Sequence, residues 1–136
     1  MLKRTFTYVD QNGDRHEVVA LIHAPQKQDR PKVVPQEPDT YSCAFEVTGA
    51  DLNIKGMGFG AFDGLAALFA ALRDLRLELD KLGNRIGWIG LGYTGIPRMV
   101  TLADPIPVQQ RIEAVLDNEH QMHSILGPGP KRGTKP

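Results

Sequence analysis

The chain has 136 residues, 41% of them hydrophobic and 24% charged, and its sixteen basic side chains are matched by sixteen acidic ones. That length and composition suit one globular domain with its own core, and the charge balance argues against nucleic acid or an anionic membrane as partner. A single cysteine, Cys43, excludes an internal disulfide, MLKRTFTYVD lacks the apolar run of a secretory signal, and LAALFAAL is too short to span a bilayer, so the expectation is a cytoplasmic, bacterial-type protein.

In chain order, TFTYVDQNGDRHEVVALIHA reads as a β-hairpin. β-Branched and aromatic residues flank Asn12-Gly13, a pair that favours a type I′ turn. Residues 25 to 40 hold four prolines and many charges, which predicts an exposed, extended connection that breaks any ladder. In YSCAFEVTG, Tyr41, Cys43, Phe45 and Val47 alternate with smaller or polar residues, the pattern of a strand with one apolar face. Gly49-Ala50-Asp51 turns it into LNIKGMGF, a second strand interrupted by glycine. From Asp63 to Leu82, the spacing of Leu65, Leu68, Phe69, Leu72, Leu75, Leu79 and Leu82 predicts an amphipathic helix. Asp63 is its N-cap, and Gly83 with Asn84 is its stop. GWIGLGYTGIPRMV follows as a short strand and loop. Asp104-Pro105 then starts a second helix with Val108, Ile112, Val115, Leu116 and Met122 on its apolar side. GPGPKRGTKP closes the chain.

These elements predict an α+β fold: an antiparallel meander sheet of four to five strands, one long helix packed on it, and a second, C-terminal helix. Residues 1–126 form one domain in this reading. Residues 127–136 form a disordered basic tail, whose Lys131, Arg132 and Lys135 offer at most nonspecific affinity for nucleic acid.

The chemistry-bearing motifs are few. DQNGDRHE places Asp10, Asn12 and Asp14 like a calcium loop, but that pattern needs Gly at its sixth position and Glu at its twelfth, and Arg15 and Leu21 stand there. His120 and His123 share a helix face, yet no third metal ligand has a motif spacing to them. Cys43 falls on an apolar strand face and reads as a small buried hydrophobe. No nucleophile elbow, carboxylate pair or zinc signature is present, so no catalytic residue, metal or cofactor is assigned.

Two segments remain as binding candidates. Trp88, Tyr93 and Arg98 form a partner-binding surface of the residue types that dominate interfaces, held by glycines and Pro97. The opposing expectation is that Trp88, Ile89, Leu91 and Ile96 only close the core. The second candidate is the glycine-rich lead-in to the first helix. There Gly58, Gly60, Asp63 and Gly64 could hold a phosphate or other anion at a helix N-terminus. The dinucleotide and P-loop patterns are absent, and Phe59 and Phe62 read as core plugs beside these glycines.

The series RTFTYVD…VVALIHAP, YSCAFEVTG, GFGAFDGLAALFAAL and GW…TGIPRMV…RIEAVLD resembles a small bacterial family known as a domain of unknown function. The likeness covers about residues 3 to 120. Its most specific pieces are Gly60, Asp63, Leu65, Ala67 and Leu68 at the first helix, and Gly95 to Arg98. The resemblance implies an α+β meander with a packed helix and brings no activity with it. The leading expectation is therefore a non-enzymatic module that binds one protein partner, of immunity or accessory type. The alternative is a small-ligand or anion-binding module, or an enzyme, at the glycine-rich lead-in.

Overall fold

The computed structural model describes residues 1–89, 93–97 and 105–126. The chain falls into two compact units, Met1–Thr101 and Leu102–Pro136.

The first unit is an antiparallel sheet with one helix on it. β1 (Leu2–Val9) and β2 (Arg15–Ile22) form the expected hairpin, with Val9 opposite Arg15. Its turn differs from the expected type I′. Gly13 N–H donates to the Asp10 carbonyl (3.1 Å) and Asp10 N–H to the Asp14 carbonyl (2.9 Å). Gly13 alone in this turn has positive φ (84°), which makes it a type I turn closed by a glycine bulge. Asp10 decides the matter: one carboxylate oxygen accepts the N–H groups of Asn12 (2.8 Å) and Asp14 (2.9 Å), and the other lies 2.7 Å from His16 Nε2.

The ladder stops after Ile22 and resumes as β3 (Gln26–Lys27), since Pro25 cannot donate. β4 (Thr40–Gly49) takes β2 at Phe45 to Thr48 and β3 at Tyr41 and Ser42 along one edge. The rest of the 25–40 connection is mostly exposed but tied down. Arg30 meets Glu37 at 3.1 Å, and Lys27 and Lys32 meet Asp39 at 3.5 and 3.0 Å. β5 (Leu52–Ala61) pairs with the other edge of β4, residue for residue. β6 (Ile86–Gly87) adds to β1. Across the sheet the order is β5, β4, β2 with β3, β1 and β6. This is the expected meander plus two short strands.

One face of the sheet is the core: Phe6, Tyr8, Val18, Ala20, Ile22, Cys43, Phe45 and Val47 are all buried. α1 (Gly64–Asp80) covers it, and the Asp63 carboxylate accepts Ala66 N–H at 3.0 Å as the expected N-cap. The expected leucine stripe holds at Leu75 and Leu79 and, partly buried, at Leu68, Leu72 and Leu82, but not at its other two positions. Ala67, Ala71, Leu75 and Leu79 are its buried residues, while Leu65 and Phe69 are exposed. The cause is in β5. A Cβ on Gly58 would lie 2.2 Å from Ala71 N, and one on Gly60 would lie 2.4 Å from Ala67 N. The helix backbone rests where strand side chains would be, so Ala67 and Ala71 face the strand glycines, and Leu75 and Leu79 fill the core farther along the helix. Strand alternation then turns Phe59 outward, at 58% exposure, and Phe62 is 71% exposed. Both therefore depart from the core-plug expectation.

In the second unit, α2 (Ile106–Leu126) begins with Val108 and Gln109 N–H on the Pro105 carbonyl. Ile112, Val115, Leu116 and Met122 are exposed. Asp104, the expected cap, and the 127–136 tail lie outside the described residues. Among the described residues, no helix is long and apolar enough to cross a membrane.

Candidate partner-binding site

The chain leaves the core through a 3-10 turn (Gly83–Arg85) and β6. Trp88 N–H donates to the Tyr93 carbonyl at 3.0 Å, which ties the two residues together. Two arginines from distant elements fasten residues 94–96. Arg4 of β1 sets its guanidinium 3.8 Å from the Trp88 ring centroid and reaches the Thr94 carbonyl at 3.4 Å. Arg76 of α1 donates to the Ile96 carbonyl and to Asp80 (2.8 Å). Ile96 and Thr94 are buried, and Thr94 Oγ1 accepts Ile96 N–H at 3.3 Å.

Gly95 is constrained twice. Its φ of +71° favours glycine, and a Cβ there would lie 2.5 Å from Trp88 Cε3. Trp88 is thus held between Arg4 and the Gly95 backbone, half-buried and packed on the core. What the segment turns outward is Ile89, 71% exposed, and Tyr93, 37% exposed. Ile89 has φ +46°, a conformation that a β-branched residue rarely adopts.

Of the three residues expected to bind a partner, Trp88 and Tyr93 come together here, with Trp88 as support and Tyr93 at the surface. Arg98 lies outside the described residues. Sequence reasoning missed Arg4 and placed Ile89 in the core. Arg4 carries no local signal, being 84 positions from its ring partner. Ile89 has one, because an isolated β-branched residue among turn glycines need not face inward.

The glycine-rich lead-in lies toward the opposite edge of the sheet. The space beside Gly58 and Gly60 is filled by α1, a Cβ on Gly64 would lie 2.9 Å from Pro25 Cβ, and the Asp63 carboxylate accepts the Ala66 N–H of the first turn. Cys43 is fully buried, its thiol donates to the His23 carbonyl at 3.2 Å, and burial pushes its pKa up, against thiolate chemistry. His120 and His123 are exposed on α2, and no cluster of three metal-ligating side chains occurs among the described residues.

No curated protein and no solved structure matches the chain. A family profile matches residues 2–98, nearly the whole first unit, and ends before α2, where the sequence resemblance ran on to about residue 120. With β1 through the Trp88 turn inside that match, the chain belongs to the family described as Domain of unknown function (DUF6968).

Proposed function

We propose that the protein is a non-enzymatic protein-binding module, of immunity or accessory type in the bacterial cytoplasm, that engages its partner through Ile89 and Tyr93 on the platform formed by Trp88, Arg4 and Gly95. The observation that carries this reading is Ile89: an apolar, β-branched side chain held at φ +46° and 71% exposed. Its conformation is unfavourable by about 1–3 kcal/mol, and such strain is held in place at functional surfaces by the surrounding structure. Here the holding contacts are Trp88 N–H on Tyr93, Arg4 over Trp88, and Arg76 on Ile96. A prearranged surface loses little conformational freedom on binding, which favours affinity. The alternative reading, an anion at Gly58, Gly60, Asp63 and Gly64, has no comparable support, because backbone and the Asp63 carboxylate already fill that space.

The test is capture from native lysate with tagged wild type and with an Ile89→Ser/Tyr93→Ala double variant, read by mass spectrometry. One protein recovered in near-equal amount with wild type, and lost with the variant at unchanged melting temperature, is the expected outcome. Recovery that survives both changes, or no recovered protein, contradicts the proposal.

A further inference from the structure

The sheet has two edges, and β5 forms the one away from Trp88. Long, flat strands at an edge invite pairing with another chain, and proteins usually blunt them with bulges, prolines or charges. β5 has none of the first two and one of the third. Its ten residues pair with β4 one to one, without a bulge, it contains no proline, and Lys55 is its single charge. The two-residue loop makes Gly49 and Leu52 a hydrogen-bonded pair. Alternation from there points the N–H and C=O groups of Asn53, Lys55, Met57, Phe59 and Ala61 away from β4. Among the described residues, no strand pairs with that side. The same five side chains share the open face of the sheet, where Met57 and Phe59 are exposed.

We propose that β5 pairs with β5 of a second copy, antiparallel, about a two-fold axis through Met57. The strand is self-complementary in this register. Met57 faces Met57 of the partner copy, Lys55 faces Phe59, and Asn53 faces Ala61, so all five outward residues join the ladder and no like charges oppose each other. The ammonium of Lys55 meets an aromatic ring, a favourable contact. A shift that set Lys55 against itself would oppose like charges and shorten the ladder. On the helix-covered face, Gly58 and Gly60 lie against the α1 backbone at Ala70–Ala71 and Ala66–Ala67, and Gly56 lies against the Phe45 ring, so these three positions put no strand side chain at the seam. A formal net charge of zero leaves no long-range repulsion between copies.

Cysteine cross-linking of the full chain reads the register directly. Residues facing each other in a hydrogen-bonded antiparallel pair have Cα atoms about 5.5 Å apart, within disulfide reach. Met57→Cys therefore links into a covalent dimer under mild oxidation, whereas Asn53→Cys, roughly 26 Å from its own copy in this register, does not. The native Cys43 is buried and stays silent. Sedimentation gives the second readout: wild type is a dimer, and Met57→Pro, which removes one outward N–H, and Phe59→Lys, which opposes Lys55, each weaken it at least tenfold while keeping the circular dichroism of the fold. A monomeric wild type, equal linking at both cysteine positions, linking at neither, or a dimer indifferent to both substitutions overturns the proposal.

Discussion

Residues 56–64 and 87–97 are both rich in glycine, aromatic residues and small side chains, and they serve opposite ends. In the first, Gly58 and Gly60 are notches in β5 into which the backbone of α1 fits. In the second, Gly95 lets the backbone lie against the Trp88 ring, and Ile89 and Tyr93 face out. Glycine content alone does not separate a packing notch from a displayed loop. What separates them is the direction of the neighbouring side chains, set by strand parity in one case and by long-range arginine contacts in the other.

The largest effect that sharpens this contrast is at Gly58. Gly58→Val forces side chain into the α1 backbone, and a loss of about 3 kcal/mol or more, with cooperative unfolding, is expected in denaturant titration. A loss within about 0.5 kcal/mol would mean that α1 is not seated on β5. Gly95→Ala is expected to lose about 1–3 kcal/mol, from the strained φ and the clash with Trp88, and to shift the emission of this single tryptophan. An unshifted emission would remove Gly95 as the support of the ring.

Much of the framework was legible. The alternation of Tyr41, Cys43, Phe45 and Val47, the Asp63 cap and the Gly83 stop follow from local rules, and the structure has them. Leu65, Phe69, Phe59 and Phe62 misled because helical and strand periods say which residues share a face, not how closely two elements approach. That distance is set by Gly58 and Gly60 across from Ala67 and Ala71, a relation between two elements. At the proposed site, residue type singled out Trp88 and Tyr93 as candidates but not Arg4, because a guanidinium over a ring arises from the pairing of β6 with β1.

The turns supply smaller tests. Ala50 is the one residue of the β4–β5 loop at positive φ (50°), the position where a type II′ turn favours glycine. Ala50→Gly should stabilise by about 0.5–1 kcal/mol, seen as a raised melting temperature. An unchanged or lowered value would contradict that strain. At Asp10, the hydrogen bond to His16 and the N–H groups of Asp14 and Asn12 hold the carboxyl below its ordinary value of 3.8. A depressed native pKa means stability that is present above that ordinary value and lost as pH falls through the lower native one. Asp10→Ala should therefore lower the melting temperature at neutral pH and flatten its decline below about pH 4. An unchanged acid limb would show that this turn is not the titrating element.

The contrast between the two glycine-rich stretches is tested most directly by hydrogen exchange of the wild-type protein with and without the partner recovered from lysate. The account predicts that the partner slows exchange across 87–97 and leaves 56–64 as it was. Protection at 56–64 with 87–97 unchanged would contradict it, and would return the binding surface to the lead-in of α1.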